Sequence, residues 1–251
     1  MTSPIYLNKT VLDAIDPAQF GATDPFPWVN PQHFIQPELF QTLLQTMPDI
    51  SSFRGFFGKQ RKHGQGSHDR FILDYERGMD VAPQWRDFVE ELCGDVYRDF
   101  VCALLGVPDI RFRFHWHFTP NGGEVTPHCD SKGKIGSQIF YLNTEKDWRR
   151  DWGGETVVLD DGDSISPDNA PSFDDFIAEY PAETQDNRSL LFGRRGNSWH
   201  GVRRINCPED HYRKVFIIVF EEHRPIRTAV KIAKRFVTGK TLVTHKESLM
   251  Y

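Results

Sequence analysis

Hydrophobic residues in the first part of the chain recur with a helical period. Between residues 83 and 105, apolar and aromatic side chains lie at i, i+3, i+4 and i+7 spacing, with Pro83 at the start and Gly106 beyond the end. These two residues are common boundary signals. The pattern predicts one long amphipathic helix over 83–105 and a shorter one over 37–47, each with one face on a core. Residues 1–36 contain five prolines, which predicts irregular or short-strand structure.

After residue 108 the hydrophobic pattern changes to alternation. Residues 111–118 alternate polar and aromatic side chains before the turn at 120–123, which is typical of a half-buried strand. Further short strands bounded by turn residues are predicted at 135–143, 154–159, 189–192 and 213–221. Helices followed by many short strands predict an α+β fold, a double-stranded β-helix (jelly roll) with supporting helices packed on one face.

The chain has 251 residues, a length compatible with one domain. We expect a single domain over 1–251 with three parts. These are an irregular and helical N-terminal support over 1–108, a jelly-roll core over 109–222 and a basic C-terminal helix or tail over 223–251.

Composition and charge exclude several classes of protein. No apolar run approaches the length of a membrane span, and the first residues lack the basic and apolar regions of a secretory signal, so we expect a cytoplasmic protein without a membrane partner. The four cysteines contain no Cys-x-x-Cys pair and are too scattered for a disulfide framework. The net charge of −5 argues against a nucleic-acid partner. The oligomeric state is not determined by the sequence.

A candidate metal motif follows the turn at 120–123. His128 and Asp130 are two residues apart, so on an extended segment their side chains project to the same face. His200 offers a third ligand. Two histidines and one carboxylate that leave positions open are typical of non-haem Fe(II) sites for oxygen chemistry. A second pair of this type, at 245–247, lies in the basic tail with no later histidine, and we interpret it as non-functional.

Two other polar features are interpreted as structural. His115 and His117 are also two residues apart, but Arg111 and Arg113 share their face. A cationic row is more typical of a solvent-facing or substrate-rim surface than of a metal site. The basic, glycine-rich segment 51–70 has no Gly-Lys-Ser/Thr ending, and we favour a solvated loop there over a flap that covers a site.

Five motifs occur in a characteristic order between residues 110 and 221. They are His128-Cys129-Asp130, Phe140-Tyr141-Leu142-Asn143, Trp152-Gly153-Gly154-Glu155-Thr156, His200-Gly201-Val202 and Arg213. Together they resemble the 2-oxoglutarate- and Fe(II)-dependent dioxygenases of the prolyl-4-hydroxylase-like group. The resemblance implies that Fe(II) is held at a catalytic centre by His128, Asp130 and His200, that 2-oxoglutarate is bound by Arg213 and Tyr141, and that O2 is the oxidant.

The physical chemistry of the cosubstrate agrees with this resemblance. A buried carboxylate of 2-oxoglutarate needs a cationic partner, and Arg can bond both of its oxygens. Residues 213–220 are apolar on both faces, so periodicity does not decide whether Arg213 or Lys214 points inward; the family pattern favours Arg213. One departure is Phe118, where many relatives have a pocket tyrosine. It puts in doubt how 2-oxoglutarate or the substrate is held.

The resemblance implies hydroxylation of an unactivated C–H bond in a small molecule or peptide, with release of succinate and CO2. Two alternatives remain open, a non-catalytic metal-binding jelly-roll sensor and an iron dioxygenase that needs no cosubstrate. Residues 160–186 contain nine acidic residues and no Lys or Arg. We hypothesise that this segment is a lid that attracts a cationic substrate.

Overall fold

The computed structural model describes residues 5–61 and 64–222, so the predicted basic helix or tail over 223–251 lies outside the described residues. Five helices are present in the described ranges: α1 (Lys9–Ala14), α2 (Pro17–Ala22), α3 (Pro37–Gln45), α4 (Pro83–Cys93) and α5 (Asp95–Leu105). None of them is long and apolar enough to cross a membrane. The helix predicted over 37–47 is confirmed as α3. The two short helices α1 and α2 were not predicted.

The helix predicted over 83–105 is divided into two at Gly94. This residue has extended torsions (φ −74°, ψ 167°), and its N–H donates to the carbonyl of Glu91 at the end of α4. Both halves keep the predicted apolar face, with Trp85 and Phe88 buried on α4 and Tyr97 buried on α5. The amphipathic period was therefore correct, whereas the continuity of the helix was wrong.

Eleven strands form two antiparallel sheets in the part of the chain that is described. They are β1 (Trp28–Val29), β2 (Arg54–Phe56), β3 (Arg70–Asp74), β4 (Ile110–Thr119), β5 (Val125–His128), β6 (Lys134–Tyr141), β7 (Thr156–Asp160), β8 (Ala178–Pro181), β9 (Ser189–Gly193), β10 (His200–Val202) and β11 (Arg213–Glu222). The large sheet has the order β1-β9-β6-β11-β4-β3-β2, and the small sheet has the order β5-β10-β7-β8. The β2–β3 hairpin extends the large sheet from a segment that was predicted to be a loop.

One face of the large sheet packs against the helices. Trp116 of β4 and Phe216 of β11 are fully buried, and Trp85 of α4 contacts both rings, with centroid distances of 5.0 and 5.1 Å. The α+β jelly roll with helices on one face is thereby confirmed. Because side chains alternate along a strand, the other face of β4 and β11 is directed away from this core. The division of the chain into three parts within one domain stays a prediction.

The N-terminal segment is attached to α4 by one carboxylate. Glu91 accepts hydrogen bonds of 2.8–3.1 Å from the backbone N–H groups of Ile5, Tyr6 and Leu7. Such bonds to an ionised acceptor are stronger than those between neutral groups. This attachment holds the beginning of the described chain against the helical layer that supports the large sheet.

Candidate active site

Three predicted metal ligands come together at one end of the small sheet. His128, the last residue of β5, and His200, the first of β10, are register partners, and their ring centroids are 4.4 Å apart. Asp130 follows β5 by two residues. The ligand atoms of the three buried side chains all lie within 4.8 Å of one another, and no other group of His, Cys, Asp and Glu with this geometry occurs in the described ranges.

Both histidines are oriented by backbone carbonyls. Nδ1 of His128 lies 3.1 Å from the Thr126 oxygen, and Nδ1 of His200 lies 3.0 Å from the Ser198 oxygen. A ring nitrogen that donates to a carbonyl carries the proton, so the lone pair is on Nε2, the atom available to a metal. Burial is the main cause that lowers the pKa of each imidazole. Both rings are therefore neutral near pH 7, which is the form that binds metal.

Asp130 completes the group as an ionised carboxylate. Burial raises its pKa, but the positive charge and the hydrogen bond of Lys134 oppose this effect, and the pKa lies well below its usual range. Lys134 donates to Oδ1 of Asp130 at 2.8 Å, a contact that sequence reasoning missed. Two neutral imidazoles and one carboxylate form the donor set that suits Fe(II) with open positions. The three residues present therefore fit this metal.

Arg213 lies on the inner face of the large sheet. It is buried, its Nε donates to the Gly154 carbonyl at 2.6 Å, and its Nη2 donates to Oγ1 of Thr156 at 2.8 Å. No carboxylate of a described residue lies within salt-bridge distance of it. Lys214, on the other side of the strand, forms an ion pair with Asp147 at 2.7 Å. The register thus decides between the two basic residues, which periodicity had left open.

The Gly153-Gly154 turn makes the contact to Arg213 possible. Both residues have positive φ, 73° and 83°, a conformation that residues with a side chain rarely adopt. A Cβ atom on Gly154 would lie 3.1 Å from Cδ of Arg213 and equally close to Ile205. Glycine at this position therefore lets the backbone approach the guanidinium, which explains the motif in physical terms.

Tyr141 lies beside Arg213. Its ring centroid is 5.5 Å from the guanidinium carbon, and its hydroxyl is buried close to Arg213 and Thr156 without a well-formed hydrogen bond. Burial raises the pKa of the phenol, an effect that the charge of Arg213 partly offsets. The hydroxyl is therefore protonated at neutral pH and can donate to a ligand near Arg213.

A cavity between the two sheets joins the three candidate metal ligands to Arg213. It is also lined by five polar side chains on and just before strands β3 and β4 of the large sheet, namely His68, Arg70, Arg113, His115 and His117. His115 and His117 are buried, with ring centroids 4.5 Å apart. Of the two surfaces expected for them, the solvent-facing one is wrong, because the polar side of β4 is its inner side, whereas a substrate-rim surface agrees with their place in the cavity lining. They line the same cavity as the candidate ligands but are not part of that group.

The β2–β3 loop contributes to this cavity as well. His68 lines it, Gln65 is buried, and the base of the loop is closed by a 2.8 Å hydrogen bond from the Gly58 N–H to Asp69. The preference for a solvated loop at 51–70 is correct for residues 57–60, which are exposed, and wrong for β2 and for the part that contains Gln65 and His68. The glycine content and positive charge of the segment favoured a solvated loop over a contribution to the cavity lining. The histidine just before β3, His68, was the sequence signal for that contribution.

Two further expectations about the pocket are not supported. Phe118 packs against Phe53, with ring centroids 4.4 Å apart, on the helical side of β4, so its lack of a hydroxyl does not affect the cavity. None of residues 160–186 lines the cavity. That segment includes β8, which pairs with β7, and Phe176, which packs against Trp199. The acidic segment is therefore not positioned as the expected lid.

The fold and this site define a jelly-roll protein with a facial metal-binding group and a buried basic residue for an acidic ligand. Residues 114–220 match the 2OG-Fe(II) oxygenase superfamily. This stretch contains all five candidate site residues and is a 2OG-Fe(II) oxygenase region, and the cofactors of that family are Fe(II), 2-oxoglutarate and O2. This assignment supports an enzyme over the alternative of a sensor. No curated protein matches the chain significantly.

Solved structures share the fold at low sequence identity. A Pseudomonas putida prolyl-4-hydroxylase is 19% identical, with a TM-score of 0.58 over 86% of this chain and 98% of its own. A Trichoplax adhaerens prolyl hydroxylase in complex with a peptide fragment of hypoxia inducible factor is 13% identical, with a TM-score of 0.58 over 89% and 91%. HygX from Streptomyces hygroscopicus, with nickel and 2-oxoglutarate bound, is 10% identical, with a TM-score of 0.56 over 83% and 87%.

Proposed function

We propose that the chain holds Fe(II) through His128, Asp130 and His200, binds 2-oxoglutarate through Arg213 and Tyr141, and hydroxylates an unactivated C–H bond. The substrate is a small molecule or a peptide. When bound, Fe(II) and 2-oxoglutarate supply the activation of O2 that inserts an oxygen atom into the substrate, while 2-oxoglutarate becomes succinate and CO2. Cytoplasmic location stays a prediction from the sequence.

The observation that carries this proposal is a buried guanidinium without an acidic partner among the described residues. An isolated buried charge is costly, and the bonds of Arg213 to a carbonyl and a hydroxyl are to neutral groups. A carboxylate from a ligand would neutralise it. Because Arg213 and the candidate metal ligands line the same cavity, a dicarboxylate could contact both.

The residues of the chain have separate tasks in this proposal. The carbonyls behind His128 and His200 keep each Nε2 directed at the metal position. Arg213 orients the distal carboxylate of the cosubstrate, and Tyr141 donates a further hydrogen bond to it. The walls of the two sheets exclude water from the reacting groups, which limits side reactions.

Formation of succinate tests the proposal. The purified protein with Fe(II), O2 and 2-oxoglutarate should produce succinate, and Arg213→Ala should lower this rate at least about 100-fold at subsaturating 2-oxoglutarate, because a carboxylate would be left unpaired. Lys214→Ala is a matched control, since it removes a positive charge from the neighbouring position on the other face of β11. Oxygen uptake that does not require 2-oxoglutarate would instead support a cosubstrate-independent dioxygenase.

The hypothesis of a cationic substrate is not retained in this proposal. It depended on the acidic segment 160–186 acting as a lid, and that segment does not line the cavity. Asp130, which is assigned to the metal, is the only acidic residue among the described lining residues. The charge of the cavity therefore favours a different class of substrate.

A further inference from the structure

The cavity contains more positive charge than the cofactors use. Four cationic side chains, Arg70, Arg113, Lys134 and Arg213, line it, against the single carboxylate of Asp130. Fe(II) and 2-oxoglutarate carry opposite charges of equal size, so their binding leaves this excess unchanged. Lys134 is paired with Asp130, and Arg113 lies 3.3 Å from Glu221 outside the lining. The carboxylates of Asp74 and Asp69 act on Arg70, so the excess on these side chains is largely balanced within the protein.

Arg61, which is not among the lining residues, is a further positive charge: Asp130 attracts it, but no described residue forms an ion pair with it. Its Nε and Nη1 atoms are buried, and neither has a hydrogen-bond partner in the described ranges. Its charge adds to the effect of burial in lowering the pKa of His68, His128 and His200. Arg61 is therefore close to the candidate metal centre. Buried polar atoms without partners are uncommon and costly. The position of Arg61 therefore indicates that a ligand satisfies it.

The imidazoles of His115 and His117 also have buried nitrogen atoms without a hydrogen-bond partner among the described residues. Nδ1 of His115 and Nε2 of His117 are buried and make no hydrogen bond to any described residue. Burial lowers the pKa of both well below the usual value, so each ring is neutral and presents one donor and one acceptor. These rings therefore offer hydrogen bonds to a polar ligand in the cavity that also contains the candidate metal position.

We propose that the substrate is an oxyanion, a small molecule with a carboxylate or phosphate group that Arg61 binds, with His115 and His117 contacting its polar atoms. This inference rests on the proposed function, since it assigns Arg213 to 2-oxoglutarate and Arg61 to the substrate. Arg is well suited to both anions because its planar guanidinium can form two parallel hydrogen bonds.

Direct binding tests the anion site without knowledge of the substrate. Inorganic phosphate and acetate are titrated calorimetrically into protein loaded with Ni(II) and saturating 2-oxoglutarate. The wild type should bind at least one anion saturably, Arg61→Gln should weaken this binding about tenfold or more, and Arg61→Lys should retain part of it. Lys59→Gln, which removes an exposed charge from the same loop, should bind like the wild type.

Substrate selection provides the second test. Carboxylic acids are assayed beside their carboxamides, phosphate monoesters beside their parent alcohols, and amines separately, for stimulation of succinate formation above the rate without substrate. The anionic member of an active pair should have a kcat/KM at least about tenfold higher than its neutral partner. With an anionic stimulator, Arg61→Gln should raise the KM for the stimulator and leave the KM for the cosubstrate within about twofold.

Other results would overturn the inference. In the binding test, they are the absence of saturable anion binding to the wild type and anion binding that Arg61→Gln leaves intact. In the kinetic test, they are stimulation by amines or neutral compounds in preference to anions, and an Arg61→Gln variant in which the KM for the cosubstrate rises and the KM for the stimulator does not. Protein that binds and consumes 2-oxoglutarate but selects amines refutes only the oxyanion site. Protein that does not bind 2-oxoglutarate refutes the proposed function itself.

Discussion

His128 and His200 face each other across the β5–β10 pair, and the Nδ1 atom of each is hydrogen-bonded to the carbonyl oxygen of the residue two positions before it. The same local device therefore orients both rings. Each Nε2 is left available, and the two rings are fixed before a metal arrives. This preorganisation lowers the entropy lost on metal binding.

Removal of either ring should weaken metal binding strongly. His200→Ala and His128→Ala should each weaken Fe(II) binding at least about 100-fold, because two ligands do not replace a facial set of three. Anaerobic calorimetry and the metal content after dialysis measure this loss. His211→Ala, which removes a histidine from a different part of the molecule, serves as the control. Unchanged metal content in both ligand variants would contradict the assignment.

Gly154→Ala should affect the cosubstrate more than the metal. The substitution places a Cβ atom against Arg213 and gives a non-glycine residue a φ of 83°, which costs on the order of 1–2 kcal/mol. We expect a lower unfolding midpoint and a KM for the cosubstrate raised about tenfold, with Fe(II) affinity retained. Gly21→Ala in α2 is the matched control, because a Cβ atom there meets no other atom within 4 Å. A normal KM in Gly154→Ala would refute the role of the turn.

Acid should destabilise the protein through the imidazoles of the cavity. His68, His115 and His117 have pKa values well below the usual 6.5, chiefly because they are buried. Below pH 6.5 the unfolded chain therefore binds more protons than the folded one, and the unfolding free energy falls as the pH is lowered towards these depressed values. Each histidine contributes up to about 1.4 kcal/mol per pH unit.

Urea denaturation between pH 7 and pH 5 measures this dependence. The double variant with His115→Gln and His117→Gln should show a shallower slope, by up to two of these contributions. His33→Asn, at an exposed position with φ of 57° that asparagine tolerates, should leave the slope as it is. An equal slope in the double variant would mean that the two cavity histidines are not buried as neutral rings.

Glu91→Gln should loosen the N-terminal segment. The carboxylate accepts the N–H groups of three successive residues, Ile5, Tyr6 and Leu7, and an amide offers a single neutral acceptor. We expect a loss of about 1–2 kcal/mol in the unfolding free energy and faster proteolysis within the first residues. Glu90→Gln, the exposed neighbour on α4, is the control. Equal protease resistance in the two variants would refute this attachment.

Local sequence patterns predicted the framework of the fold but not its finer geometry. The period of α4 and α5 was evident, yet Gly94 ends one helix through its backbone torsions, which depend on packing around it. The β2–β3 hairpin was concealed because loops and edge strands have similar polar composition. The metal motif was recognisable since its residues are close in sequence or belong to known motifs.

The inner wall of the cavity was only partly predicted, for a different reason. A strand with one polar and one apolar face normally directs the polar face to solvent, and the cationic row with Arg111 and Arg113 left a solvent-facing surface and a substrate rim both open for His115 and His117. Here the apolar face of β4 packs against helices, and the polar face lines a pocket. A sequence pattern reports the polarity of a surface and not whether the surface meets bulk water or an enclosed ligand.

Successive side chains of strand β11 alternate between two environments. Val215 and Ile217 lie on the cavity side with Arg213, while Phe216 and Ile218 lie in the core that packs against the helices. Inserting or deleting one residue within this strand would exchange these environments. The guanidinium would then enter the hydrocarbon interior, and benzyl groups would fill the pocket. Natural variation in chain length should therefore accumulate in connections such as the one between β7 and β8 and be absent from β11.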